Sequence, residues 1–133
     1  MCQKKEIERF TEIHNNLCQK NEWIIEGIYI KNLFYRIQHA DVVIFLDMPR
    51  YSCLWNVLKR EIVYLGKIIP GGSQKCKYSI FTFRFLRFLE SIWNFKKEQR
   101  PAIINILDQY KNTKQIFILK SFNEIQNFLH SSN

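Results

Sequence analysis

Paired cysteines and clustered histidines are both missing from this chain. Its four cysteines, Cys2, Cys18, Cys53 and Cys76, show neither metal-ligand spacing nor the density of a disulfide scaffold, so they are expected to be reduced thiols. His14, His39 and His130 stand singly, without Cys, His or acid at ligand spacing, and no metal site is expected from them. The opening residues, Met1 to Glu12, mix Lys, Glu and Arg and hold no apolar stretch long enough for a signal sequence or a membrane span. The expectation is a cytoplasmic protein with no membrane partner. Glycine is scarce as well. With only Gly27, Gly66, Gly71 and Gly72 available, no Gly-x-x-x-x-Gly-Lys-Ser/Thr phosphate-binding pattern occurs.

What is present is a core and a localised charge. Hydrophobic residues make up 47% of the 133 residues, and 15% are aromatic, which excludes a disordered chain and predicts one globular domain. The formal net charge of +8 is concentrated between Lys59 and Arg100, where ten Lys/Arg face only Glu61, Glu90 and Glu98. A negatively charged partner is expected there.

Ile7, Phe10, Ile13 and Leu17 recur at helical spacing and predict an amphipathic first helix with these residues on its buried side. Trp23-Ile24-Ile25-Glu26-Gly27 is a short β-favouring run ended by glycine and predicts a buried strand. Val42-Val43-Ile44-Phe45-Leu46, between Asp41 and Asp47, is apolar without alternation, the pattern of a strand covered on both faces. Pro49 suits the first turn of a helix in which Leu54, Leu58, Ile62 and Leu65 share one face and Gly66 is the stop.

Residues from Gly66 to Tyr78, with Pro70, Gly71, Gly72 and Ser73, have the composition of a solvated loop. The stretch from Ile80 to Phe95 is apolar on more than one helical face, Pro101 breaks or kinks the chain near Arg100, and a further helix is expected over Ala102 to Tyr110. Ile116-Phe117-Ile118-Leu119 is a third apolar run, and Ser121 with Glu124 is a capping-box signature for a last helix buried through Ile125, Phe128 and Leu129. Strands alternating with helices predict a parallel α/β sheet.

Four pieces of the chain together resemble one known family: Trp23-Ile24-Ile25-Glu26-Gly27-Ile28-Tyr29, Ala40 through Arg50, Cys53 through Arg60, and Trp93 through Pro101. It is the DNA topology modulation (FlaR-related) family, a branch of the adenylate-kinase-like P-loop proteins. The resemblance runs from the first helix to the C-terminus with the elements in the family's order. It implies an incomplete P-loop kinase-like three-layer fold, with a short parallel sheet of about three strands flanked by helices. The three would be Ile24-Ile25, Val42 to Leu46 and Ile116 to Leu119, the first two pairing directly. The family's phosphate loop lies upstream of the position of Met1, so residues 1–133 are expected to form a single truncated domain. Residues 66–100 would be its lid-like basic segment.

By the same resemblance the complete family uses ATP and Mg for phosphoryl transfer or hydrolysis of a nucleoside triphosphate, whereas this chain alone is expected to be inactive and to need no cofactor. Glu26 stands where the family usually has Asp before Gly and is a candidate magnesium- or acceptor-side carboxylate; capping of the next turn is an equal alternative. Asp47, at the carboxyl end of the second predicted strand, is a candidate of the same kind, with capping of the Pro49 helix as its alternative. Arg60, Arg84, Arg87 and Arg100 are the candidate phosphate-binding residues, because a guanidinium fork binds phosphate oxygens bidentately; a solvated basic face is the alternative for each. A non-catalytic basic module binding nucleic acid or phosphorylated ligands is the competing function, and apolar surface left uncovered by the missing strands would favour self-association.

Overall fold

The computed structural model describes residues 2–64 and 83–131, with the side chains of residues 2–6 and 84 outside that description. The expectations for Leu65, for the Gly66 helix stop, for the Gly66 to Tyr78 loop and for Ile80 and Phe81 fall outside the described residues. In chain order the elements are α1 (Cys2–Cys18), α2 (Ile30–His39), β1 (Val42–Leu46), α3 (Arg50–Val63), α4 (Phe83–Glu98), α5 (Arg100–Tyr110), β2 (Gln115–Leu119) and α6 (Phe122–Ser131). The architecture is mixed α/β, a small parallel sheet flanked by helices. The chain divides into two compact units, Met1–Phe45 with Ala102–Ile118, and Leu46–Pro101 with Leu119–Asn133.

Among the described residues the sheet has two strands, β1 beside β2. Gln115 N donates to Asp41 O at 3.2 Å, and Asp47 N donates to Leu119 O at 2.8 Å. Residue numbers rise together along both strands, which is the slanted bonding of a parallel pair. The third strand expected at Ile24-Ile25 is not formed. Residues 23–26 belong to no strand, and Ile24 is 100% exposed. A run of two or three β-branched residues has little strand preference apart from a partner's ladder. The expectation that β1 is covered on both faces also fails: Val42, Ile44 and Leu46 are exposed while Phe45 is buried, so the strand alternates.

In the first unit α1 packs on α2. The side of α1 that is buried is not the apolar stripe: Ile7, Phe10, Ile13 and Leu17 are exposed, whereas His14 and Cys18, one turn apart, are buried. The polar pair faces inward because it is bonded there: Arg36 Nε donates to His14 Nε2 at 3.1 Å. α2, to which the sequence analysis assigns no element, buries Asn32, Arg36 and Ile37. Its last turn is closed by Ala40 N, which donates to Arg36 O at 3.0 Å and Ile37 O at 3.3 Å before the chain extends into β1. Ile103 and Leu107 of α5 complete the buried apolar set of this unit, and Tyr110 meets Phe34 edge-on at 5.7 Å.

Gly27 has φ +102°, and a Cβ there would stand 2.9 Å from Tyr29 Cε2. Gly27→Ala is therefore expected to cost about 1–2 kcal/mol, the penalty of a side chain in left-handed backbone. Urea denaturation of the variant checks this, and an unchanged midpoint would contradict it.

In the second unit α3 packs on α4. The expected buried face of α3 is open: Leu58 and Ile62 are exposed, and the buried residue of that helix is Glu61. Pro49 is the N-cap residue of α3, rather than part of its first turn, and no side-chain hydrogen bond caps the helix. On α4, Phe85 is buried, while Phe83, Leu86, Phe88 and Trp93 are exposed. The chain breaks at Gln99, and Pro101 sits in the first turn of α5, where its missing N–H costs no helical bond. Ser121 and Glu124 form the expected cap of α6: Glu124 N donates to Ser121 Oγ at 3.2 Å, and Glu124 Oε2 accepts Lys120 N at 2.8 Å. None of α6's residues is buried, which departs from the expected burial of Ile125, Phe128 and Leu129.

Candidate functional site

Two of the singled-out residues come together. Asp47 follows β1 directly, held there by its N–H bond to Leu119, and Arg100 opens α5 just after the break before Pro101. Arg100 Nε donates to both Asp47 Oδ1 and Oδ2 at 2.9 Å, and Nη2 donates to Oδ2 at 2.8 Å. Asp47 is only 4% exposed, whereas the Arg100 side chain is about one-third exposed. The hydrogen bonds to Asp47 raise the Arg100 pKa above its ordinary value. Asp47 does not cap α3, because its carboxylate is committed to Arg100. Arg100 keeps Nη1 free of any hydrogen bond among the described residues, a donor fixed in direction by the other two nitrogens.

The second unit also carries a basic and aromatic cluster. The Arg50 guanidinium lies over the Trp93 ring at 4.9 Å, and Tyr51 meets the same ring edge-on at 5.8 Å. Tyr51, Trp55 and Trp93 are all exposed. Cys53 carries a free thiol whose pKa is pushed up by burial, with the Lys96 ammonium acting in the opposite direction. A thiol so placed is a poor nucleophile near neutral pH.

The other candidates are apart from the pair in role. Arg60 is exposed near the end of α3, and Arg87 is exposed on α4 with its guanidinium over Phe83 at 4.7 Å. Arg84 lies on α4. Glu26 is exposed and belongs to the first unit. Among the described residues no three His, Cys, Asp or Glu side chains are grouped to hold a metal ion, and no helix is long and apolar enough to cross a membrane.

Arg50, Tyr51 and Trp93 were not among the candidates drawn from sequence. The Arg50 and Tyr51 signal was present in the helix start after Pro49, but the ring they share lies on a different helix. No protein-family model, no curated protein and no solved structure matches the chain.

Proposed function

We propose that the chain binds phosphorylated ligands, nucleoside polyphosphates foremost, through the basic surface of its second unit, as the resemblance to adenylate-kinase-like topology modulation proteins implies. The observation that carries this reading is the Asp47–Arg100 pair. It puts a pre-oriented guanidinium beside the carboxyl end of a parallel strand, the edge where open α/β sheets collect their ligands. Arg60, Arg84, Arg87, Lys96 and Lys97 supply further positive charge on the same unit. The protein acts in the cytoplasm on this reading. Glu26 and Asp47 are then structural or ligand-positioning carboxylates and not bases in a reaction of this chain.

Calorimetric titration with ATP at low and moderate salt tests the proposal. Binding is expected to be weak and to fall steeply with salt, because surface charges are screened within about 10 Å at 0.1 M ionic strength. An R60A/R87A/K97A variant is expected to lose at least about tenfold in affinity, the equivalent of roughly 1.4 kcal/mol. Arg100 is left intact in that variant so that a loss of binding is not a loss of folding. Salt-independent binding, or unchanged affinity in the variant, would overturn the reading.

Phosphoryl transfer by the purified chain is not expected, because its sequence holds no phosphate loop with the lysine and magnesium-binding hydroxyl. Turnover at about 1–100 per second in contamination-controlled assays would contradict this.

One observation favours a second ligand class. The exposed Tyr51 and Trp93 rings with Arg50 form a set of rings and a cation of the kind on which single-stranded nucleic acid stacks. Competition between ATP and an oligothymidylate separates the two, since a stacking surface binds the oligomer far more tightly. The exposed apolar side chains of α3 and β1 also support self-association, which sedimentation reads directly.

A further inference from the structure

The second unit exposes two apolar stripes that adjoin one another. On α3, Tyr51, Trp55, Leu58 and Ile62 recur at i, i+4, i+7 and i+11, one face of a helix, and all four are exposed. On α4, Phe83, Leu86 and Trp93 follow at i, i+3 and i+10 and are exposed as well. The stripes meet where α3 packs on α4, since Tyr51 touches the Trp93 ring edge-on at 5.8 Å. Single apolar side chains are ordinary on a protein surface, whereas adjoining stripes mark a binding face.

Cations border this face. Lys59 and Arg60 of α3 and Arg87 and Lys97 of α4 are exposed, and the Arg50 guanidinium lies over the Trp93 ring at 4.9 Å. The two helices together hold seven Lys/Arg against Glu61, Glu90 and Glu98. Glu61 is buried, and of the two exposed acids Glu90 stands one turn from Arg87 and two turns from Lys97. The face is therefore apolar with a positive border.

That combination selects among partners. A bilayer interface accepts aromatic rings at the headgroup level, aliphatic side chains at the acyl boundary and Lys/Arg at the lipid phosphates. Nucleic-acid bases stack on rings but make no use of Leu58, Ile62 and Leu86. A second copy applied to the same face about a two-fold axis would set the cations against themselves.

We propose that the α3–α4 face lies on an anionic phospholipid surface, with Trp55, Ile62 and Leu86 entering the headgroup–acyl boundary and the bordering lysines and arginines meeting lipid phosphates. Such contact is peripheral. A span takes about 20 apolar residues, whereas α3 and α4 have 14 and 16 residues and carry cations. The expectation of no membrane partner rests on the lack of a spanning stretch, which does not exclude helices lying in the interface.

The test uses the whole 133-residue chain. It is sedimented with phosphatidylcholine vesicles containing about one-quarter phosphatidylglycerol, and with vesicles of phosphatidylcholine alone. Association with the anionic vesicles, weakened by salt, and little with the neutral ones are expected. In a Trp23→Phe background Trp55 and Trp93 are the emitters, and quenching by lipids brominated in their acyl chains is expected from their insertion. A W55Q/I62Q variant changes two side chains that are 67% and 71% exposed, so the fold is kept, and it is expected to lose at least about tenfold in vesicle partitioning. Arg60, Arg87 and Lys97 are intact in it, so ATP titration reads the phosphate-ligand proposal separately: vesicle binding without ATP binding overturns that proposal alone, and the converse overturns this one alone. Three further outcomes would overturn the lipid proposal: equal association with neutral vesicles; association without quenching by brominated chains, which is contact through charge only; or partitioning of the variant within about twofold of the parent.

Discussion

Arg100→Ala is expected to destabilise the protein by about 3–5 kcal/mol, the range for breaking a buried ion pair from one side. The size follows from what remains. Asp47 is almost wholly buried, and its carboxylate receives three hydrogen bonds from Arg100 alone. Without the guanidinium the charge must stay in a poorly hydrated site or take up a proton. Asp47→Asn leaves the other partner, and Arg100 is about one-third exposed, so it can turn to water. That variant is expected to cost less, about 1–3 kcal/mol, the penalty of the lost bonds and an imperfectly paired amide. Arg100→Lys should fall between them, because an ammonium is a point charge that cannot engage both carboxylate oxygens in the same fork. Chemical denaturation at low salt and at about 0.5 M salt gives the three values, and the order should persist at high salt since a buried pair is weakly screened. If Asp47→Asn costs more than Arg100→Ala, the pair is not arranged as described.

The same pair shows how far the sequence could be followed. Asp47 and Arg100 were each singled out, one for its place at a strand end and the other for its charge. Their partnership spans 53 positions and is invisible to any local pattern. β1, β2, the capped start of α6 and the break before Pro101 were legible because each depends on residues within a few positions of one another. The strand expected at Ile24-Ile25 is absent for the opposite reason. Strand identity there depends on a ladder partner, and β1 has β2 as its partner among the described residues. α2 was legible and missed: Ile30, Leu33, Phe34 and Ile37 recur at i, i+3, i+4 and i+7, the period of an amphipathic helix, although the face it buries also carries Asn32 and Arg36. In α1 and α3 the period was present and pointed to the wrong face, because periodicity reports that a helix is amphipathic and not which neighbours it meets.

That last distinction can be measured. Ile37→Ala, in α2, is expected to cost about 2–5 kcal/mol, the range for truncating a buried isoleucine. Ile62→Ala, on the α3 stripe that periodicity assigns to the core, is expected to change stability by no more than about 0.5 kcal/mol, as for an exposed site. Ile37 is 1% exposed and Ile62 is 71% exposed, so the transfer contribution lost differs greatly although the same atoms are removed. Alanine's helix propensity favours both variants to a similar degree and cannot produce the difference. Urea titrations of the two variants side by side decide the matter: a larger loss at Ile62 than at Ile37 would mean that the core follows the apolar stripe of α3 and that the burial of α2 is wrong.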